Sequence, residues 1–166
     1  MIKLLIFLCC PLLVLAQSVK IVPPPSNISA IYFSSQGKIQ YGIPILELGQ
    51  SFSLHFDDLQ GDEAFYYYQI HHYDYDWKPS PLSVNNVIDG FDDVRILDVY
   101  NSENTLQNYT HYELKIPNTN TYALRQSGNY LIEIYDEEGN LLFNRKLLIY
   151  TNGTACLLYT SDAADD

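Results

Sequence analysis

Apolar and polar residues alternate with a period of two along most of the chain, which is typical of strands with one buried face. The run Ser51–Phe56 shows this most plainly, because its three apolar residues share one face and its serines and histidine share the other. Pro44 interrupts one such segment and indicates an edge strand or a bulge there. The same pattern predicts further strands at Ile28–Ser34, Ile39–Leu48, Val94–Tyr100, Tyr109–Ile116, Asn129–Asp136 and Leu141–Tyr150.

Turn residues separate these segments, and no long run has the 3.6-residue period of an amphipathic helix. Asp57–Glu63 and Asp136–Asn140 are rich in the Asp, Asn and Gly residues that tight turns require. About seven or eight short strands joined in this way predict an all-β fold, an immunoglobulin-like antiparallel β-sandwich. A signal-peptide helix is expected to precede it.

The segment Phe65–Trp77, FYYYQIHHYDYDW, is the most aromatic part of the chain. Neither face of one unbroken strand would be uniformly apolar, so we expect a bulge or bend near His71–Asp74 that reverses the alternation and turns Trp77 inward. Tyrosines suit such a strand because their rings bury a large area while their hydroxyl groups reach polar partners. The predicted core comprises Phe52, Leu54, Phe56, Tyr66, Tyr68, Ile70, Trp77, Leu114, Tyr130, Ile132 and Ile134.

The two ends of the chain differ from the segment between them. Residues 1–16 have a lysine, an apolar run too short to span a membrane comfortably and a small residue at Ala16, as in a secretory signal peptide. Residues 17–27 form a proline-rich lead-in, and residues 28–150 form the predicted sandwich domain. The last residues, 156–166, resemble a translated sequencing adapter, so we interpret them as an artificial tail on a gene cut off near Ala155.

The formal net charge of −11 excludes several classes of partner. An acidic surface repels phosphate backbones and anionic lipid headgroups, so we expect no nucleic-acid binding and no direct membrane insertion. The three cysteines, Cys9, Cys10 and Cys156, lie in the two end segments. The predicted domain must therefore be held together by packing and hydrogen bonds without disulfides.

Two clusters of polar residues are candidate metal sites. His71, His72, Asp74 and Asp76 mix imidazole and carboxylate ligands, but alternate residues of a strand lie about 7 Å apart, which is too far for one ion in a straight strand. We interpret them as an exposed polar rim beside buried tyrosines. The second cluster comprises Asp57, Asp58, Asp62 and Glu63, and it is more typical of a capped, solvated turn than of a calcium loop.

The chain lacks the usual sequence signs of catalysis. It has no Gly-x-Ser-x-Gly elbow and no Gly-rich phosphate loop. His55 and His111 lie between aromatic strand residues and are expected to be structural or at the surface. We therefore assign no catalytic, cofactor-binding or metal-binding residue and predict a protein that is not an enzyme, with no cofactor and no small-molecule substrate. The residues that contact a partner are not assigned.

Carbohydrate binding is the alternative function, because exported β-sandwiches with exposed aromatic rings can stack sugars. The chain has 15 tyrosines, so some must reach the surface. A sugar site needs two or three coplanar rings on one open face. A protein-docking surface instead needs a broader patch with aromatic anchors and a polar rim.

Four blocks together resemble the N-terminal domain of the type IX secretion system plug protein family. They are FDDLQGDEAFYYYQIHHYDYDWKPS, IDGFDD, LQNYTHYELKIPN and SGNYLIEIYDEEGNLLFNRKLLI, and they recur in that order and at similar spacing in the family. The resemblance implies an immunoglobulin-like sandwich that is followed, in full-length members, by a larger C-terminal region. It also implies a periplasmic, non-catalytic protein that docks on the outer-membrane translocon barrel and closes its periplasmic mouth while no substrate passes.

Overall fold

Strands account for most of the regular structure of the chain. A computed structural model describes residues 19–152, so the predicted signal peptide of residues 1–16 and the predicted tail of residues 156–166 lie outside the described residues. These described residues form twelve strands and one short helix, with the following bounds: β1 Ile28–Ser35, β2 Lys38–Gln40, β3 Ile45–Glu47, β4 Phe52–Asp58, β5 Tyr67–Tyr73, α1 Val84–Val87, β6 Ile88–Gly90, β7 Val94–Arg95, β8 Asp98–Asn101, β9 Thr110–Ile116, β10 Thr121–Leu124, β11 Gly128–Tyr135 and β12 Leu141–Tyr150.

Two five-stranded sheets form the sandwich, which confirms the predicted all-β class. The first sheet has the order β2-β1-β4-β9-β8, and the second has the order β3-β12-β11-β5-β7. All neighbours are antiparallel except β3 and β12, where Ile45 lies opposite Leu148 in a parallel pair. A third sheet of two strands, β10 and β6, was not predicted, because its short strands show no clear alternation.

The chain crosses between the two large sheets at both edges of the sandwich. At one edge β2 belongs to the first sheet and β3 to the second; at the other edge β7 belongs to the second sheet and β8 to the first. The predicted single strands Ile39–Leu48 and Val94–Tyr100 are therefore each divided in two. Ile96, between β7 and β8, is buried, and its amide donates to the carbonyl of Tyr66.

Large aromatic rings fill the space between the sheets. Phe56 stacks on its cross-strand neighbour Tyr112 with ring centroids 5.1 Å apart, and it makes edge-on contacts with Tyr66 and Phe143. Such offset and edge-on pairs add to the stability that the buried area alone provides. Ten of the eleven predicted core residues are buried: Phe52, Leu54, Phe56, Tyr66, Tyr68, Ile70, Leu114, Tyr130, Ile132 and Ile134.

Trp77 is the exception, and its predicted position in the core is wrong. Strand β5 ends at Tyr73, and the amide of Trp77 donates to the carbonyl of Asp74 in a tight turn. The turn places the Trp77 backbone in the left-handed region at φ 59° and leaves the side chain half-buried. The ammonium of Lys146 lies 3.9 Å from the centroid of the indole ring. The tight turn replaces the predicted reversal of alternation.

Candidate functional site

Strand β5 and the residue before it present Tyr66, Tyr68 and Ile70 to the core, as the alternation predicts. Each buried phenol finds a polar partner near the edge of the core. The hydroxyl of Tyr68 lies 2.7 Å from the hydroxyl of Thr121, and the hydroxyl of Tyr130 donates to the carbonyl of Gln126 at 2.7 Å. Burial raises the pKa of Tyr130 well above its usual range. The hydrogen bonds of these phenols are made within the fold, which favours a structural role for the rings.

Asp58 shows how one acidic residue of the predicted turn cluster is used. Its side chain is fully buried, and it accepts hydrogen bonds from the hydroxyl of Tyr66 at 2.7 Å, the side-chain amide of Asn27 at 3.0 Å and the amide of Gln60 at 3.0 Å. Burial, followed by the bond to Asp58, raises the pKa of Tyr66 far above its usual range. Asp58 thus joins the start of β1, the end of β4 and the aromatic core.

The other acidic residues of that turn point to different surroundings. Asp57 contacts His111, whereas Asp62 and Glu63 are exposed. The four carboxylates Asp57, Asp58, Asp62 and Glu63 do not share one partner. Within residues 19–152, no group of three or more histidine, cysteine, aspartate or glutamate side chains is placed to hold a metal ion.

The residues of the first candidate metal cluster also diverge. His71 contacts the carboxylate of Glu133 at 3.1 Å, while the ring of His72 lies 3.2 Å from the carbonyl of Ser127. Asp74 accepts two backbone amides of its own turn, at 2.9 Å each. Asp76 is exposed, with Lys78 at 3.5 Å. These residues all lie near the end of β5, but the turn at Asp74 separates their side chains.

The structure reveals a polar relay across the outer face of the first sheet that the sequence reasoning missed. The hydroxyl of Ser34 lies 2.8 Å from Nε2 of His55, and Nδ1 of His55 lies 3.2 Å from Nε2 of His111. Nδ1 of His111 lies 2.6 Å from the carboxylate of Asp57. The strands β1, β4 and β9 place these residues side by side, with Asp57 directly opposite His111. The signal for this relay in the sequence is the polar half of the strand alternation, which places Ser34, His55 and His111 on the face opposite the core.

The direction of the relay follows from its acceptor end. A carboxylate only accepts, so when His111 is neutral its proton sits on Nδ1 and its Nε2 accepts from Nδ1–H of His55. Nε2 of His55 then accepts from the hydroxyl of Ser34. Burial lowers the pKa of His55, which is 9% exposed, and the carboxylate of Glu113 opposes that shift. The ring of Tyr32 stacks on His55 with centroids 4.6 Å apart.

The position of Ser34 favours a structural role for the relay. Catalytic serines of the elbow type sit on a sharp turn with free amides nearby. Ser34 instead lies within β1, paired with Ser53 on one side and Ile39 on the other, so the sheet ladder surrounds it. The relay satisfies polar groups across three strands, and its expected behaviour is that of a cross-strand network.

The surface formed by the described residues carries an apolar row, which we call the apolar edge. It consists of Ile39, Tyr41, Ile43 and Ile45, which are 58%, 79%, 53% and 63% exposed, where the chain passes from β2 to β3. The Tyr41 ring is tilted by 56° from that of Tyr32, so these two neighbours do not form the flat platform that sugar stacking requires. Exposed apolar rows at sheet edges are typical of contact surfaces.

Comparisons with known proteins agree with this architecture. Residues 28–151 match the sequence model described as the type 9 secretion system plug protein 1st domain. A crystal structure of a hypothetical protein from Parabacteroides merdae ATCC 43184 aligns with a TM-score of 0.71 and 26% sequence identity, covering 80% of this chain. The chain spans 34% of that protein's length. No curated protein matches the chain. Among the described residues, no helix is long and apolar enough to cross a membrane.

Proposed function

The chain belongs to the type 9 secretion system plug protein family, and from this premise we propose that it docks on the outer-membrane translocon barrel and plugs its periplasmic opening. The single observation that carries the proposal is the family match over residues 28–151, which includes every strand of the sandwich. Membership gives the chain a role in type IX secretion; docking, sealing and a periplasmic location are the finer points proposed here.

The surface of the sandwich is compatible with a binding role. The apolar edge exposes four large side chains in a segment of seven residues, Ile39–Ile45, and lies where both sheets end. Aromatic and aliphatic anchors of this kind are the usual centres of protein interfaces. The buried tyrosines and the histidine relay are, by contrast, engaged within the fold. This division favours a rigid module that acts through its surface.

A capture experiment tests the proposal. The purified chain, without its predicted signal peptide, is immobilised and incubated with detergent-solubilised outer membranes of a bacterium that has type IX secretion. An unrelated exported β-sandwich of similar charge serves as the control. We expect selective recovery of the large translocon barrel, identified by mass spectrometry. Retention on a polysaccharide column, with no barrel captured, would instead support the carbohydrate-binding alternative and overturn docking.

A further inference from the structure

A groove lies at one end of the sandwich, between the β4–β5 connection and the β11–β12 turn. At this end of the sandwich β4 ends and β5 begins, and likewise β11 ends and β12 begins. The groove has a volume of about 350 Å³, which is within the range of small binding sites. We call it the end groove. Its lining includes Ala64, Phe65, Asp136, Glu137, Glu138 and Leu142.

The floor of the end groove contains apolar side chains that are supported from below. Ala64 and Leu142 pack against the hydrophobic core, and Tyr66 is part of it. Phe65 remains 41% exposed, and the guanidinium carbon of Arg95 lies 3.5 Å from its ring centroid. An apolar side chain entering the groove would meet Ala64, Leu142 and the part of Phe65 that Arg95 leaves exposed.

The rim is acidic, and its shape is set by hydrogen bonds within the turn. Asp136 accepts from the amides of Glu138 and Asn140 at 3.0 and 2.8 Å, which fixes the turn. Glu137 and Glu138 are exposed on it. The Asp136 carboxylate is held by the turn itself, so the more exposed carboxylates of Glu137 and Glu138 are the ones placed to meet a partner.

The charged groups around the groove are mostly acidic. Three carboxylates, those of Asp136, Glu137 and Glu138, line it, and the guanidinium of Arg95 lies on the ring of Phe65. The net charge of these four groups is therefore negative. An apolar floor beside an acidic rim complements a segment that presents a positive charge next to an apolar side chain.

We infer that the end groove receives an extended protein segment that carries lysine or arginine beside an apolar residue. This inference rests on the proposed function, because the segment would belong to the periplasmic face of the translocon. The apolar side chain would lie on Phe65 and Leu142, and the cationic groups would reach Glu137 and Glu138. A groove with carboxylates on its rim and an apolar floor suits such a peptide better than it suits a metal ion, which requires convergent oxygen ligands.

A peptide-binding experiment tests the groove directly. The probe is a fluorescent peptide of alternating leucine and lysine, compared with one of alternating leucine and glutamate, and anisotropy measures binding to the parent chain. The variant E137K/E138K should weaken binding of the lysine peptide by about tenfold or more through loss of charge complementarity. The control D76K/D98K changes the net charge equally at exposed sites outside the groove and should stay within about twofold of the parent, because distant surface charges are screened by salt.

A second variant separates the apolar contribution from the charge. Phe65→Ala leaves the net charge unchanged and should weaken binding of the leucine–lysine peptide severalfold, while binding of a peptide of alternating glycine and lysine should change little. Thermal melts of each variant establish that it is folded. Equal losses in E137K/E138K and D76K/D98K, or no loss in Phe65→Ala, would overturn the groove as the binding site.

The outcome can be distinguished from failure of the proposed function. If the parent chain captures the translocon barrel and E137K/E138K captures it equally well, the groove is not the contact and the docking proposal stands. If the parent captures no barrel but binds the leucine–lysine peptide in the groove, docking on the translocon fails. The preference of the groove for a cationic, apolar segment is then upheld. Loss of barrel capture in E137K/E138K alone supports both.

Discussion

The hydroxyl of Tyr66 donates a 2.7 Å hydrogen bond to the fully buried carboxylate of Asp58. This bond joins the aromatic core to the end of β4, where the connection that walls the end groove begins. Asp58 also accepts from Asn27 and from the amide of Gln60, so three donors surround one carboxylate. A charged group buried in this way is stable only while its hydrogen bonds are present.

Removing the hydroxyl of Tyr66 should therefore be costly. We expect Tyr66→Phe to lower the free energy of unfolding by about 1.5–3 kcal/mol, the usual contribution of a hydrogen bond to a charged group. Urea denaturation followed by circular dichroism measures it. Tyr122→Phe, at an exposed position, should change stability by less than about 0.5 kcal/mol. Equal effects of the two substitutions would contradict the role assigned to Asp58.

The ion pair between His71 and Glu133 should make stability depend on pH. The hydrogen bond to Glu133 raises the pKa of His71 above 6.5 despite desolvation, and the bond to His71 lowers the pKa of Glu133 below 4.5. The contribution of His71 is thus complete below pH 6.5 and is lost as the pH rises through its higher folded-state pKa. The contribution of Glu133 is lost as the pH falls through its lowered pKa.

The variant His71→Gln isolates this pair. It should destabilise the protein more at about pH 5.5 than at about pH 8, because only the protonated imidazole gains from the carboxylate. Melting temperatures of the parent and the variant across this range provide the test. A difference in melting temperature that is constant with pH would show that His71 contributes no linked protonation.

His55 should titrate in the opposite sense. Its pKa is lowered from 6.5, chiefly by burial, so the folded state keeps it neutral while the unfolded state becomes protonated. Its contribution to stability is present above pH 6.5 and is lost as the pH falls below that value towards the folded-state pKa. Histidine ring resonances followed by NMR should show His55 titrating below 6.5 and His71 above it. The reverse order would contradict the buried relay.

Trp77 should tolerate truncation better than a core tryptophan. It occupies a turn at φ 59° and contacts Lys146 through its ring face. Trp77→Ala should cost about 1 kcal/mol, the scale of an exposed cation–π contact, rather than the 3–5 kcal/mol typical of a buried tryptophan. Trp77→Gly should be the more stable of the two variants by about 1 kcal/mol, because glycine adopts the left-handed region freely. Chemical denaturation ranks them, and a more stable alanine variant would contradict the turn geometry.

Gly90 should be far less tolerant of a side chain than Gly139. Both have positive φ, of 114° and 81°, but a Cβ at Gly90 would collide with the carbonyl oxygen of Asn120 whereas the space around Gly139 is open. Gly139→Ala should cost about 1 kcal/mol from backbone strain alone. Gly90→Ala should cost clearly more, because β6 and β10 must separate. Thermal melts of the two variants measure the difference, and similar values would contradict the close strand approach.

The alternating sequence was sufficient to locate the long strands and their buried faces. Leu54 and Phe56 on β4, and Tyr68 and Ile70 on β5, lie where the period of two predicts, because side chains of a strand must point to opposite faces in turn. The turn at Asp136 was equally predictable from its Asp and Gly residues. These features depend only on neighbours along the chain.

Sheet membership depended on contacts between residues far apart in sequence. Val94–Arg95 joins β5 while Asp98–Asn101 joins β9, although the intervening residues continue an apolar pattern that reads as one strand. The turn that ends β5 likewise places Trp77 outside the core. This turn is stabilised by the Asp74 carboxylate, which accepts from the amides of Asp76 and Lys78.

An acidic, tyrosine-rich β-sandwich and its family resemblance could be predicted from the sequence alone, because strand alternation and the order of the matching blocks are properties of neighbouring residues along the chain. Tertiary structure alone decided that Ser34, His55, His111 and Asp57 form one relay, and that Glu137 and Phe65 border one groove. Those residues come from strands and turns separated along the chain, and only the pairing of the strands brings them together.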